Sequence, residues 1–143
     1  MPYRYLEELA IADVAFEATG RTLEELFVAA ADATTNVMVG DLASIADRER
    51  RRIRAEEGAP DMLLLDLLQE LIYYKDAERL LLRVPEVHIR HTDGGLTLAA
   101  EARGERLDAA KHVLLIDIKA VTMHHFEVIE TADGWRATVV LDI

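Results

Sequence analysis

The stretch HIRHTDGGLTLAAEAR, residues His88–Arg103, decides the fold of this chain. Asp93-Gly94-Gly95 lies between two runs rich in leucine and β-branched residues, Leu80–His91 and Leu96–Arg103. Glycine adopts positive φ without steric cost, so the trio reads as a hairpin turn. The pattern returns near the end, where Asp133-Gly134 separates Ile116–Glu130 from Trp135–Asp142. Tight turns join antiparallel neighbours, so the second half is predicted to hold at least four antiparallel strands.

Upstream of His88 the period changes. Ile11–Ala18 alternates, with Ala12, Val14, Phe16 and Ala18 on one face, which predicts a half-buried strand ending at Gly20. Thr22-Leu23-Glu24-Glu25 has capping-box spacing, in which hydroxyl and carboxylate satisfy the free amides of a helix start. Leu23, Leu26, Phe27, Ala30, Val37 and Met38 recur at helical spacing, so a helix is predicted to about Val39, with Gly40 as its stop. Arg48–Glu57 alternates weakly and reads as a strand of low apolar content at a sheet edge. Gly58-Ala59-Pro60-Asp61 is a break, with Asp61 as N-cap of a second helix whose leucine stripe calls for burial against a sheet. Strand, helix, strand, helix and then hairpins make an α+β fold: one compact domain, 1–143, with two helices packed on a largely antiparallel sheet. A chain of 143 residues can bury such a core without metals or disulfides.

Composition removes several function classes. A net charge of −11 repels phosphate backbones and anionic lipid, so neither direct nucleic-acid binding nor a membrane partner is expected. Arg48, Arg50, Arg51, Arg52 and Arg54 read as the solvated face of a strand. The absence of cysteine excludes disulfides, thiolate catalysis, zinc ribbons and iron–sulfur clusters. Met1–Tyr5 lacks an apolar h-region and a small-residue cleavage site, and Met62–Tyr74 is too short and too polar to span a bilayer. A cytoplasmic protein is expected.

Chemistry centres on carboxylates. Asp13 is on the less apolar face of the first predicted strand, and Asp142 ends the last. Should those strands meet, Asp13, Asp142 and the Ile143 α-carboxylate would converge. Clustered carboxylates repel one another and need raised pKa values or a cation between them. All-oxygen ligation suits Mg²⁺ or Ca²⁺, and Mn²⁺ less selectively. The residues alone leave a second reading open, in which Asp13 caps a turn and Asp142 is an exposed strand end. Lys119, flanked by Ile118 and Val121, is either a snorkelling edge lysine or a cation aimed at a carboxylate or phosphate. His124 and His125 are adjacent in a predicted strand, so their rings are expected on opposite faces. Asp108 and His112 could pair on a helical turn, against the plainer reading of a satisfied loop histidine. No phosphate loop, zinc-protease helix or nucleophile elbow is present, and no nucleophile stands beside a base.

Read together, the quoted elements resemble the archease family along essentially the whole length from Tyr5. The resemblance rests on Ala12-Asp13-Val14 with Gly20 and Thr22–Phe27, then Asp61 before the leucine-rich helix. It continues through Gly104-Glu105-x-Leu107-Asp108 with Lys111-His112, and Lys119-Ala120-Val121-Thr122 with His124, to Asp142-Ile143. It implies a compact α+β accessory protein, not itself an enzyme, that activates an RtcB-type RNA ligase in tRNA splicing or RNA repair. Such activators promote ligase guanylylation and multiple turnover. Carried over by position, a divalent cation (Ca, Mg or Mn) would be held by Asp13, Asp142 and the Ile143 carboxylate. Asp61, Lys119 and His112 match further motif positions. The family is also linked to a chaperone-like role toward an RNA methyltransferase, which is the alternative function. One departure accompanies the match: Ala10-Ile11 stand where the family usually carries His-Thr.

Overall fold

The computed structural model describes residues 2–7 and 13–143. Strands β1 (Tyr3–Leu6) and β2 (Val14–Gly20) lead into helix α1 (Leu23–Met38); a 3₁₀ turn at Leu42–Ser44 precedes β3 (Glu49–Glu57). Helix α2 (Pro60–Glu78) is followed by β4 (Leu80–Arg83), β5 (Val87–Thr92), β6 (Gly95–Arg106), β7 (Ala120–Thr131) and β8 (Gly134–Asp142). One sheet has the order β1-β2-β8-β7. The second runs β3-β6-β4, with β5 on β6 as well. The strand pairs are antiparallel. The two-helix antiparallel α+β architecture read from the sequence is therefore present, on two sheets rather than one. Among the described residues no helix is long and apolar enough to cross a membrane.

The capping box works as the sequence requires, with one shift. Thr22 Oγ1 accepts from the Glu25 amide at 3.1 Å, and Glu25 Oε2 accepts from the Arg21 amide, one residue before the cap, at 2.9 Å. Thr22→Ala is expected to cost about 1 kcal/mol, read as a lower urea midpoint at unchanged slope. The second helix begins earlier than Asp61 suggests. Ala59 is the N-cap and Pro60 opens the first turn, because a missing amide costs nothing there. Asp61 lies inside that turn, where its carboxylate accepts from the Met62 amide at 2.8 Å and meets the positive end of the helix dipole.

Both helices bury one stripe. Leu26, Phe27 and Ala30 of α1 and Leu63, Leu64, Leu67, Leu68 and Leu71 of α2 join Phe16, Ile53, Val139 and Leu141 in one core. Asp66 sits at the margin of that core. Burial, then the hydrogen bond and charge of Glu57 and the charge of Glu70, push its carboxyl up to about 6.

Three strand readings change. Leu80–His91 divides into β4 and β5 at Val84–Glu86, where Pro85 removes a ladder donor. Strand β1 went unrecognised, being four residues with two exposed. The strand predicted from Ile116 begins only at Ala120 and is interrupted between Thr122 and Glu127. There His125 takes φ +55°, and the His124 and His125 ring centroids come within 4.1 Å. The opposite-face expectation for these rings fails because the bulge breaks the two-residue period. The arginine strand β3 does lie at an edge, with Arg50, Arg52 and Arg54 on its solvent face.

Candidate functional site

Four of the residues singled out in the sequence, Asp13, Lys119, Asp142 and Ile143, meet at one end of the first sheet. Val14 of β2 pairs with Leu141 of β8, and Asp13 and Asp142 are the next residues along that antiparallel register. On the other side of β8, Ala120 pairs with Asp142, and the Lys119 amide donates to the Asp142 carbonyl at 2.8 Å. The sequence condition that the first and last strands meet is thus satisfied, and Asp13, Asp142, Ile143 and Lys119 share a corner. The two aspartates are half-buried and Lys119 is exposed.

Parity settles which face they use. Leu141, Val139 and Phe16 point into the core, so Asp142, Val140 and Ala15 point to the other side of the sheet. Thr122 pairs with Val140 and belongs to the same face, one row in from Asp142. Its Oγ1 is buried and has no hydrogen-bond partner among the described residues. A buried hydroxyl without a partner costs free energy. The donor set at this corner is all oxygen, which suits a hard divalent cation. Among the described residues no group of three or more His, Asp or Glu side chains is arranged to hold a metal, so a cation here would rely on other oxygens as well. Ala10, Ile11 and Ala12, including the departure from the family's His-Thr, lie outside the described residues.

Two further candidates are placed elsewhere. Lys75, near the C-terminal end of α2, donates to the Ile118 carbonyl at 2.7 Å, so that end of the helix borders the Lys119 corner. Asp61 is fourteen residues earlier on α2, about 21 Å along the axis, and is not brought to the carboxylates. His112 is buried and fully engaged: the Asp108 amide donates to its Nδ1 at 2.9 Å, and its Nε2 lies 3.0 Å from Glu105 Oε2. It is the satisfied loop histidine, bonded to the backbone of Asp108 rather than to its carboxylate.

Sequence reasoning missed the two polar clasps around the segment 107–119. In the first, Glu105 Oε2 accepts from the Ala46 amide at 2.7 Å, from Lys111 Nζ at 2.6 Å and from the His112 ring. The Ala46 amide first, then Lys111 and His112, hold the Glu105 carboxyl down at about 2 against the opposing effect of burial. In the second clasp, Lys75 Nζ reaches Asp117 at 2.5 Å and Asp76 at 2.6 Å as well as the Ile118 carbonyl. Burial works against the lysine charge, but the two aspartates outweigh it and leave the pKa above the ordinary lysine value. Glu105 was visible within the quoted motif. Nothing local announced Lys75, since a lysine in the last turn of a helix is ordinarily solvated.

Known proteins agree with this architecture. Residues 3–143 match the family model of the archease protein family. A Methanosarcina barkeri protein named archease is 38% identical over 142 residues, 99% of this chain and 95% of the relative. The Pyrococcus abyssi archease is 37% identical over 133 residues, 92% and 93% of the two chains. The solution structure of a Methanobacterium thermoautotrophicum protein superposes with TM-score 0.85 at 33% identity, covering 99% of each chain. The crystal structure of a Thermotoga maritima archease, termed a possible chaperone, has TM-score 0.60 at 21% identity, over 94% and 93%, and speaks for the fold alone.

Proposed function

The chain belongs to the archease family, and from that premise we propose that it is an accessory protein that activates an RtcB-type RNA ligase through the Asp13–Asp142 corner. The observation that carries the reading is the β2–β8 register, which sets two half-buried aspartates side by side at the end of the first sheet. Asp13 and Asp142, joined by the Ile143 carboxylate, would hold a divalent cation (Ca, Mg or Mn). Such a cation, when bound, supplies charge that neutralises phosphate oxygens at a nucleotide site. The protein's own residues do the rest. The strand pairing fixes the spacing of the two aspartates before any ligand arrives, so little ordering remains to be done on binding. Lys119, exposed beside them, is free to meet a phosphate or a partner's carboxylate. The net charge of −11 speeds encounter with a basic nucleotide cleft.

The test is ligase guanylylation and multiple-turnover joining, with and without this protein. Wild type is expected to stimulate both. Asp13→Ala is expected to lose about tenfold or more of the stimulation, together with divalent-cation binding by calorimetry, while its circular dichroism stays unchanged. Stimulation undiminished in a folded Asp13→Ala protein would defeat the carboxylate reading. No stimulation by wild type, even with excess Mn²⁺ or Mg²⁺, would turn attention to the second reading, a chaperone-like modulator of an RNA methyltransferase or another RNA-processing enzyme. The exposed apolar run Val113–Ile116 is a surface suited to holding another protein under either reading, so the partner captured in a pull-down decides between them.

A further inference from the structure

Among the described residues seven large apolar side chains are exposed, and four of them are consecutive: Val113 at 60%, Leu114 at 41%, Leu115 at 57% and Ile116 at 39%. Scattered surface leucines need no explanation, but a contiguous run does. This one is not loose chain. The Val113 carbonyl accepts from Gly40 at 2.9 Å, and the amides of Leu115 and Ile116 donate to Met38 and Val37 at 2.9 and 3.3 Å. Upstream it is pinned by the His112–Glu105 clasp and downstream by Lys75 on Asp117 and Ile118. The strap is therefore held by backbone bonds and by a polar clasp at each end while its side chains stay in water. Val113 and Leu115 lie over Gly40. Leu114, Leu115 and Ile116 line a cleft of about 370 Å³ with Met38, Leu81 and Leu107, and Lys75, Asp76, Arg79 and Asp117 complete its wall.

We propose that the strap Val113–Ile116 is the docking surface for a partner protein whose contact face is apolar at its centre and whose surroundings are net basic. This proposal rests on the activator reading, which makes the ligase that partner. Charge selects the occupant. A second copy of this chain would bring another −11 against the first, and anionic lipid or RNA would be repelled in the same way. The charged residues beside the cleft carry both signs, Asp76 and Asp117 against Lys75 and Arg79. A mixed polar rim around an apolar centre is how protein interfaces are built. Position supports the same choice. Ile116 is three residues from Lys119, no more than about 11 Å of chain, and the Lys119 amide is bonded to Asp142. A partner seated on the strap would have its next residues at the carboxylate corner.

The decisive experiment titrates purified RtcB-type ligase with wild type, with the double variant Val113→Ser/Leu115→Ser and with Asp13→Ala, reading both binding and turnover. The double variant is expected to need about tenfold more protein for half-maximal stimulation, with the plateau at saturation unchanged. Asp13→Ala is expected to bind as wild type does and fail to stimulate. Leu115→Gln alone serves if the double variant melts early. Equal half-saturation for strap variant and wild type would overturn the docking proposal and leave the activator reading standing. Wild type that neither binds nor stimulates the ligase would remove both. A dimer in sedimentation that the strap variant dissociates would assign the surface to a second copy and overturn the proposal.

Discussion

Gly104→Ala is expected to lower stability by about 3 kcal/mol or more, which for a chain of this size is a fall on the order of 10 °C in thermal midpoint. The reason is space, not backbone freedom. A Cβ at residue 104 would lie far inside van der Waals contact of the Leu81 carbonyl oxygen, with the Leu82 backbone close behind. Strand β6 is flanked at this point on both sides, by Glu49 of β3 and Leu82 of β4, so neither neighbour can retreat without breaking a ladder. Arg48 also donates to the Gly104 carbonyl at 2.9 Å, which ties the entry to β3 to the same residue. Urea unfolding of the variant checks the expectation. A midpoint within experimental scatter of wild type would mean that the close approach of β4 is not present in solution.

Removing the Glu105 carboxylate is expected to be nearly as damaging, about 3 kcal/mol at neutral pH for Glu105→Ala, because the buried His112 ring and the half-buried Ala46 amide lose their acceptor. The pH dependence carries a sign. Glu105 ionises at about 2 in the folded protein against the ordinary 4.5, so its contribution is complete above the ordinary value and disappears as pH falls through the interval down to about 2. Glu105→Gln should therefore flatten the loss of stability between about pH 5 and pH 2 relative to wild type. Asp66 acts oppositely. Its carboxyl is raised to about 6, so its contribution is complete below the ordinary aspartate value and is lost as pH rises through 6. Comparing wild type with the Glu105 variant at each pH cancels that effect. Parallel stability–pH curves would show that the clasp does not hold Glu105 ionised.

The same clasp bears on function. It holds one end of the strap Val113–Ile116, and the Lys75 clasp holds the other, so Glu105 and Lys75 set how the apolar surface is offered. Variants at Glu105 and at Asp13 should accordingly fail in different ways: the first in stability and partner affinity, the second in stimulation at full affinity.

What the sequence determined alone was what short-range physics controls. Thr22 and Glu25 start a helix wherever they are placed, and the glycines of Asp93-Gly94 and Asp133-Gly134, at φ +99° and +148°, close hairpins because other residues resist those angles. The leucine stripe of α2 needed a sheet, and it has two. Asp13 and Asp142 were legible as a pair only on condition that two strands more than a hundred residues apart should meet. Alternating apolar residues say that a strand is half-buried, but not which strand lies beside it. That choice, β2 against β8, belongs to the tertiary structure. So does the fate of Val113-Leu114-Leu115-Ile116, which reads locally like a buried strand. Backbone bonds to the end of α1 and two polar clasps hold it at the surface instead. Burial is a property of what packs against a residue, and no residue carries that information by itself.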